Sequence, residues 1–408
     1  MRGDARGRVR WKERSESRKT RLDMQTRWVK HPRLAVVNNH VVDYPTPSNL
    51  SYHWRFGFLA GRRLVVQIIT GIFLARHYTP HVDLAFHSVE HIRRDVNAGW
   101  RRRYGHANGA SLFFVVVYAH ILRARYYGSY AHPRASLWIS GIILFIRRRA
   151  AGFIGYVLPF GQRSLWGATV ITNLFSAIPV VGESLVEWIW GGFSVDNATL
   201  NRFFSFHYTI PFLIAGLALG HLALLHQDGS GNPLGVDSKP NRVPFYPYFY
   251  VKDLFGFRIL RTIFSAIVFF SPNVLGHPDN YIAANPRVTP AHIVPEWYFL
   301  RFYAVLRSIP HKLVGVIARG LALVGPRALP WLNTSEVRSS AFRPIYRKVY
   351  WLFVVDALIL GWIGQKVVEY PFVEVGQVAT AFYFLFIFVL IPLIGRVESS
   401  LRRLETRA

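Results

Sequence analysis

The chain contains no cysteine and only two methionines among its 408 residues, and it is poor in acidic side chains. Without cysteine there can be no disulfide bond, no iron–sulfur cluster held by thiolates and no haem attached through thioethers. Both methionines, Met1 and Met24, precede the first long apolar segment. The 22 acidic residues face 49 lysines and arginines, which gives a formal net charge of +27. A charge of this size raises the question of a nucleic-acid partner.

The distribution of the basic residues argues against such a partner. Basic patches that bind nucleic acid lie on solvated faces, whereas many of these arginines interrupt hydrophobic stretches. The composition is 51% hydrophobic, 15% aromatic and only 17% charged, which is typical of a polytopic membrane protein. We therefore expect an all-α membrane protein that binds no nucleic acid.

Eight apolar stretches are long enough to be predicted as membrane spans of about 20 residues. They cover residues 56–78, 104–126, 136–158, 206–226, 257–275, 313–332, 347–365 and 378–396. Between the third and fourth, residues 159–200 are apolar but broken by prolines and glycines, which predicts a helical hairpin at the membrane interface. Residues 276–300 form a long loop rich in proline and asparagine, a length typical of functional loops.

Basic loops predict the orientation of these spans. Lysine and arginine cluster in residues 1–33, 123–134 and 239–252, whereas acidic side chains collect in residues 183–196. By the positive-inside rule, both termini and the exits of the second and fourth spans face the inner compartment. The N-terminal stretch lacks the apolar core of a secretory signal, and residues 1–35 are predicted to be a basic, partly disordered extension with Met24 as an alternative start.

Two histidine pairs and two glycine pairs share one separation of 14 residues. The pairs are His106/His120, His207/His221, Gly57/Gly71 and Gly141/Gly155. Fourteen helical residues rise about 21 Å and return to nearly the same face. One helix can therefore hold two imidazoles at two depths, and glycines at the same interval let flat ligands approach the backbone of two further helices. This pattern predicts a four-helix bundle that holds two haems.

The predicted topology also decides which histidines share a haem. The second and fourth spans are separated by one span, so they run in the same direction. His106 is then level with His207, and His120 is level with His221. Each pair can ligate one iron axially, so these four histidines are the predicted metal ligands.

The chain resembles mitochondrial cytochrome b, the membrane subunit of the cytochrome bc1 complex, respiratory complex III. The resemblance extends over about residues 36–398. It is carried by the segments His106-Ala-Asn-Gly-Ala-Ser, Gly155-Tyr-Val-Leu-Pro, Trp166-Gly-Ala-Thr-Val-Ile-Thr-Asn, Trp190-Gly-Gly-Phe-Ser-Val-Asp, Gly276-His-Pro-Asp-Asn-Tyr and Pro295-Glu-Trp-Tyr. The continuous chain argues against the split photosynthetic relative.

The resemblance implies two domains and an activity. Residues 36–230 would form the N-terminal domain with the di-haem bundle, residues 231–398 a C-terminal domain of four helices, and residues 399–408 a tail. The implied activity is that of a quinol–cytochrome-c reductase subunit, which oxidises ubiquinol, reduces ubiquinone and couples both to proton translocation. Implied partners are a Rieske iron–sulfur protein, cytochrome c1, other complex III subunits, membrane lipid and a second copy in a homodimer. The implied location is the mitochondrial inner membrane, with both termini in the matrix.

The resemblance also assigns roles to individual residues. His106 and His207 would hold a low-potential b-type haem and His120 and His221 a high-potential one, with Arg103 at a haem propionate. Glu296 would accept a proton from quinol, in a pocket lined by Tyr156 and Tyr303. On the inner side, the resemblance implies a quinone-reducing site made of His226, Ser230, Lys252 and Asp253.

Several arginines stand where members of that family carry apolar residues. They are Arg62, Arg63, Arg76, Arg93, Arg101, Arg102, Arg147, Arg148, Arg149, Arg163, Arg287 and Arg301. An arginine at the centre of a span costs about 2.5–3.5 kcal/mol on insertion scales. The family also uses methionine freely, and this chain has almost none. Our hypothesis is that some of these arginines are artefacts of decoding or of transcript editing.

Two alternatives stay open at this point. A non-redox transporter or channel would line a pathway with intramembrane histidine and arginine, although the inverted repeats typical of many transporters are not seen in the sequence. A degenerate homologue would assemble without turnover, although the four histidines and Glu296 are all present.

Overall fold

A computed structural model describes residues 35–405, and helices dominate this part of the chain. The helices of eight or more residues are α1 (Phe56–Ala75), α2 (Ala85–Arg94), α3 (Gly99–Tyr126), α4 (Ala135–Val157), α5 (Gln162–Thr172), α6 (Gly182–Trp190), α7 (Asn197–Asp228), α8 (Tyr248–Phe270), α9 (Leu300–Arg307), α10 (Lys312–Val324), α11 (Pro344–Ile363), α12 (Phe372–Leu385) and α13 (Ile391–Glu405). The predicted N-terminal extension lies outside the described residues, apart from its last residue.

Shorter elements connect these helices. Short α-helical turns cover Ala35–Val37 and Leu329–Leu332; π-helical turns cover Asn38–Val42 and Phe386–Leu390; 3-10 turns cover Tyr52–Arg55, Asn173–Ala177, Pro278–Tyr281, Trp297–Phe299, Gly325–Ala328 and Ser340–Phe342. Two strands, β1 (Pro45–Pro47) and β2 (Arg242–Pro244), pair antiparallel with Thr46 opposite Val243. The all-α prediction is therefore confirmed, with one small ribbon in addition.

Every predicted span coincides with helix, and five helical stretches are long and apolar enough to cross a membrane. These are Tyr52–Ala75, Gly99–Tyr126, Asn197–Asp228, Lys312–Leu332 and Phe372–Glu405. The other three predicted spans correspond to α4, α8 and α11, each of which carries three or more charged side chains. That these three also cross the membrane, for a total of eight spans, remains a prediction.

The start of α7 differs from the prediction by nine residues. This helix begins at Asn197 rather than at residue 206, because Asp196 caps it. The Asp196 carboxylate accepts from the Asn197 N–H at 2.8 Å, and the Thr199 hydroxyl accepts from the Asp196 N–H at 3.2 Å. This reciprocal arrangement satisfies N–H groups that a helix start leaves free. Polar residues 197–201 thus extend the helix beyond its apolar part.

The region between α4 and α7 has the broken helical form predicted for it. Helix α5, a 3-10 turn and α6 follow one another, and α6 ends at Gly191, whose φ of 77° suits glycine. The long loop 276–300 docks onto the start of α5. The Gln162 N–H donates to the Ile282 carbonyl at 2.9 Å, and Ser164 donates to the Asn280 side chain through its N–H and its hydroxyl.

Helix packing builds the bundle around the histidines. Helix α1 packs along α3, and α4 packs along α7, while α1 also contacts α7. The largest buried cluster lies elsewhere, among α9, α10, α11 and α12, where the rings of Phe353 and Phe386 stack at 4.4 Å. Helix α4 contributes Trp138, Ile142 and Phe145 to that cluster, so it joins the two halves of the molecule.

Candidate functional site

The four histidines of the 14-residue pairs each face one of the four glycines. On the α1–α3 pair, a Cβ added to Gly71 would lie 3.2 Å from His106 Cε1, and one added to Gly57 would lie 3.2 Å from His120 Cε1. The antiparallel packing of these helices explains why the first glycine faces the second histidine.

The α4–α7 pair repeats this arrangement. A Cβ on Gly141 would lie 3.2 Å from His221 Cε1, and one on Gly155 would lie only 2.2 Å from His207 Cε1. Contacts below 3.0 Å are not tolerated, so any side chain at position 155 must displace the imidazole. Gly155 is therefore required for the close approach to His207, whereas a Cβ at the other three glycines would need the imidazole to yield by a few tenths of an ångström.

The two histidine-bearing helices bring His106 and His207 together. Their ring centroids lie 6.1 Å apart with the ring planes nearly perpendicular, at 86°. We call His106, His207, Gly71 and Gly155 the first level. His120, His221, Gly57 and Gly141, displaced by 14 residues along the same helices, form the second level.

In three of the four imidazoles, a hydrogen bond between Nδ1 and an oxygen atom fixes the orientation of the ring. His106 Nδ1 lies 2.9 Å from the Thr70 hydroxyl, His221 Nδ1 lies 2.8 Å from the Ser140 hydroxyl, and His207 Nδ1 lies 3.0 Å from the Ala151 carbonyl. A carbonyl can only accept, so His207 must carry its proton on Nδ1.

Like the Ala151 carbonyl, the hydroxyls of Thr70 and Ser140 accept a hydrogen bond from Nδ1 of the histidine that they contact. Thr70 already donates to the Val66 carbonyl at 2.7 Å, and Ser140 donates to the Leu137 carbonyl at 2.8 Å. Since each hydroxyl has one proton, it accepts from the imidazole N–H. With Nδ1 protonated, Nε2 of His106, His207 and His221 is the nitrogen with a lone pair. This is the arrangement by which second-shell groups prepare a histidine for a metal.

His120 differs from the other three histidines. Its Nδ1 lies 3.1 Å from Nη2 of Arg123, one turn further along α3. A guanidinium only donates, so this Nδ1 accepts. An iron bound at Nε2 of His120 therefore requires Arg123 to move away from Nδ1.

The residues fit haem on these observations. Glycine faces each imidazole where a side chain would obstruct a flat ring, and three imidazoles present a free Nε2. Two axial imidazoles suffice for an iron whose remaining four ligands come from a porphyrin. Arg103 is half-buried one turn before His106 on α3, at the first-level end of the bundle.

One pocket brings together the three residues predicted for quinol oxidation. Tyr156, Glu296 and Tyr303 all line it, together with residues of α5 such as Gly167 and Arg163. Tyr156 directly follows Gly155, which places this cavity at the first level.

Glu296 provides a carboxyl group in this cavity, and its side chain is only 11% exposed. Burial raises its pKa from 4.5 to about 7, and the opposing charge of Arg163, whose Nε lies 3.8 Å from the carboxylate, limits the rise. The Arg163 Nη2 donates to the Pro295 carbonyl at 2.9 Å. A carboxyl with a pKa near neutrality can both accept and release a proton at physiological pH.

The four residues predicted for the inner site are held by separate sets of contacts. Lys252 donates to the Leu50 carbonyl at 2.8 Å, and buried Asp253 pairs with Arg55 at 2.7 Å. The carboxylate is thus already engaged by a cation.

The other two inner residues lie at the end of α7. The ring of His226 packs edge-on against Tyr44 with centroids 4.2 Å apart, and it lies 4.8 Å from the ring of His40. The Ser230 hydroxyl donates to the Gly231 carbonyl at 2.9 Å. Tyr44 and His40 precede the first span and were not anticipated from the sequence.

Sequence reasoning also missed the partners of the imidazoles. Thr70 and Ser140 each directly precede a glycine of the 14-residue pairs, Gly71 and Gly141. A hydroxyl beside a glycine that faces a histidine is a signal that could have identified both. No comparable signal marks the Ala151 carbonyl, since any residue provides a backbone oxygen.

Two family models match this chain. The model described as "Cytochrome b/b6/petB" matches residues 41–229, and the model described as "Cytochrome b(C-terminal)/b6/petD" matches residues 283–384. The chain is 61% identical over 375 residues to cytochrome b of Chondrus crispus, covering 92% of this chain and 98% of the relative. It is 62% identical over 373 residues to cytochrome b of Marchantia polymorpha, and the match covers 91% of this chain and 92% of the relative.

A solved structure shows the same architecture. A chain of a structure described as "Hyperthermophilic respiratory Complex III" is 32% identical, with a TM-score of 0.86 over 92% of this chain and 100% of that chain. Together with the family matches, which include all four histidines, this settles the family. The chain belongs to the cytochrome b family.

Proposed function

We propose that this chain is the di-haem subunit of a cytochrome bc1 complex, which oxidises quinol at one membrane face and reduces quinone at the other. The observation that carries the proposal is the pair of histidine levels, each with glycines facing the rings. The solved neighbour, titled as a respiratory complex III, supports assembly with other complex III subunits. Among these we expect a Rieske iron–sulfur protein, cytochrome c1 and a second copy of this chain.

In this proposal His106 and His207 hold one b-type haem, and His120 and His221 hold the other. Bound haem supplies one-electron redox chemistry at each level. The protein fixes the height of the two levels, about 21 Å apart along the helices, and excludes side chains from the glycine positions. Arg103, one turn before His106, can pair with a propionate of the first-level haem, since a buried carboxylate needs a partner.

Quinol oxidation is proposed at the cavity of Glu296. Quinol must release two protons as its electrons leave, and Glu296 can take one of them because its carboxyl titrates near pH 7. Tyr156 and Tyr303 form walls of the same cavity and orient the ring of the quinol. Since the cavity adjoins the first level, one electron has a short path to that haem.

Quinone reduction is proposed near the second level, where α7 ends. His226 lies five residues beyond His221 and contacts Tyr44. Ser230 is in the following loop, and Lys252 and Asp253 lie near the start of α8. These residues can supply protons to the reduced quinone once Asp253 is released from Arg55. Oxidation at one end and reduction at the other make the reaction vectorial, and we place it in the mitochondrial inner membrane with both termini in the matrix.

The test is quinol-driven reduction in membranes that contain the whole complex. Addition of ubiquinol should produce the absorption of reduced b-type haem, and external acidification should accompany turnover. A protein that binds haem but is not reduced by quinol would contradict the proposal and favour the degenerate homologue. A chain without haem would contradict the di-haem assignment.

A further inference from the structure

The middle of α4 holds two arginines in the interior of the protein. Arg148 and Arg149 are only 6% and 7% exposed, whereas Arg147 before them is exposed. They lie between the second- and first-level glycines of this helix, Gly141 and Gly155. Arg148 is thus midway along α4 between the two histidine levels.

Aromatic rings surround both guanidinium groups. Arg148 Cζ lies 3.9 Å from the ring centroid of Phe113 and 3.7 Å from that of Phe114. Arg149 Cζ lies 4.1 Å from the centroid of Phe302 and 4.6 Å from that of Phe299. A ring face attracts a cation, but it offers no acceptor in the plane of the guanidinium, where the N–H groups point.

Half of the guanidinium nitrogens of these two side chains are unsatisfied, and Arg149 has the Tyr118 hydroxyl as a hydrogen-bonding neighbour. Both terminal nitrogens of Arg148 and Nη1 of Arg149 are buried without a hydrogen-bond partner, and neither residue forms an ion pair within residues 35–405. A buried charge without a counter-charge is among the most unfavourable features that a fold can contain.

Two further arginines lie among aromatic rings on neighbouring helices. Arg125 is 5% exposed, has Nε and Nη2 unpartnered, and lies 4.2 Å from the centroid of Phe353. Half-buried Arg301 has an unpartnered Nε and lies 4.4 Å from the centroid of Tyr118. Both line one cavity among aromatic and aliphatic side chains. No described residue forms an ion pair with either of them.

Elsewhere the chain buries arginine with acceptors in place. Arg343 is 1% exposed, and its Nε donates to Glu398 at 2.8 Å. Arg307 donates to the carbonyls of Lys366 at 2.7 Å and Ile363 at 3.0 Å. Arg307 Nε and Arg343 Nη2 are unpartnered as well. The difference is that each of these two arginines donates to a carboxylate or a carbonyl, whereas none of the four above does so within the described residues.

We propose that positions 125, 148, 149 and 301 carry apolar side chains in the protein that the cell makes. The codons at these positions would be decoded as apolar residues, or changed to such codons by transcript editing. The methionine content supports this proposal, because no methionine occurs in residues 35–405. Methionine is unbranched, as arginine is, and adapts well to aromatic surroundings, so we expect it at some of these positions. The inference does not depend on the proposed redox function.

The structure also suggests a rival. If the four arginines are genuine, Arg125 and Arg301 would make the cavity between the two halves a site for a bound anion. Such a site would hold a phosphate or carboxylate group. The two explanations differ in the covalent structure of the chain, which can be measured directly.

The experiment is peptide mass spectrometry of the protein purified within its native complex. Digestion with chymotrypsin and, separately, with trypsin gives overlapping peptides across residues 113–157 and 297–350. We expect peptides whose masses and fragments show apolar residues at 125, 148, 149 and 301, and no tryptic cleavage after these positions. Arg307 and Arg343 serve as internal controls and should be detected as arginine.

Arginine at any of the four positions would overturn the proposal there, and arginine at both 125 and 301 would favour the anion site. Apolar residues at positions 307 and 343 as well would overturn the rule that hydrogen-bonded acceptors mark the genuine arginines. Neither result depends on activity or on refolding of a variant, since the native protein is the sample.

Discussion

The two histidine levels share one plan but differ in how their imidazoles are held. At the first level both Nδ1 atoms meet acceptors, the Thr70 hydroxyl and the Ala151 carbonyl. At the second level Ser140 accepts from His221, whereas Arg123 donates to His120. An acceptor at Nδ1 raises the basicity of the ligand and favours oxidised iron. Arg123 must leave Nδ1 of His120 before iron binds at Nε2, but as a cation one turn away it still favours reduced iron. The 14-residue spacing places the histidines of the two levels in equivalent positions. The side chains around each level nevertheless give its imidazoles a different electrostatic environment.

The two levels differ in their glycines as well. At Gly155 an added Cβ would lie 2.2 Å from His207, whereas at the three other glycines the corresponding distance is 3.2 Å. Among the four glycines, Gly155 of the first level therefore leaves the least room for a side chain. It also adjoins the cavity of Glu296.

The largest expected effect comes from removing one ligand. We expect His106→Leu to abolish the haem of the first level and to leave the second level bound, because each iron depends on its own pair. Pyridine haemochrome analysis of the purified complex should then give half the haem per protein. The matched control is His91→Gln, at an exposed histidine of α2 that pairs with Asp95, which should keep the full content. Loss of both haems in the folded variant would mean that the levels are not independent.

We expect a smaller effect from alanine substitutions at two of the glycines, and the loss of haem should differ between them. Gly155→Ala must displace His207, whereas Gly57→Ala requires His120 to yield by only a few tenths of an ångström. We expect the first variant to lose most of the first-level haem and the second variant to retain its haem with a shifted potential. Haem content and redox titration measure both.

Gly220→Ala is the control for this contrast, since no atom lies within 4 Å of a Cβ added there, beside His221. Equal losses of haem in Gly155→Ala and Gly57→Ala would show that the different distances between these glycines and their histidines do not affect haem binding.

The third prediction concerns the cavity beside the first level. Because the pKa of Glu296 is raised to about 7, its carboxylate is increasingly protonated below that pH and cannot accept a proton from quinol. Quinol oxidation should therefore accelerate as pH rises through about 7. Glu296→Gln should slow it by roughly 10²-fold or more, in keeping with the usual contribution of a general base, and should remove that pH dependence.

Steady-state rates of quinol oxidation between pH 6 and pH 8.5 give this measurement. Glu183→Gln, at an exposed position of α6, should match the unaltered protein in both rate and pH dependence. A Glu296→Gln variant with normal rate and normal pH dependence would exclude this carboxyl as the proton acceptor.

The smallest effect is expected at Arg123. Arg123→Gln removes the cation from the second level, so reduced iron loses stabilisation there and the second-level potential should fall. A tenfold change in the one-electron equilibrium corresponds to about 59 mV, and we expect a shift of that order. The first-level potential serves as the control within the same sample. A shift confined to the first level would show that the levels have been assigned in reverse.

The helices were largely predictable, because apolar runs of about 20 residues set them. Boundaries were less so. Helix α7 begins at Asn197, where a polar capping arrangement rather than hydrophobicity decides the start. The relative heights of the histidines followed from helix direction, and the first-level pair is brought together as expected.

Contacts between distant helices were beyond sequence reasoning. The partners of the imidazoles come from other helices, 36 residues away for Thr70 and 81 for Ser140. The engagement of Asp253 by Arg55 joins residues 198 apart. The sequence raised doubt about the arginines of α4, but only the structure shows that no described carboxylate or carbonyl accepts from Arg148 or Arg149, whereas Glu398 accepts from Arg343.

The most direct test of the account is a redox titration of the b-type absorption in the purified complex. Two bis-histidine levels with different Nδ1 partners predict two components of equal amplitude at distinct potentials, the lower one absent in His106→Leu. A single component, or two that both persist in that variant, would contradict the two-level arrangement.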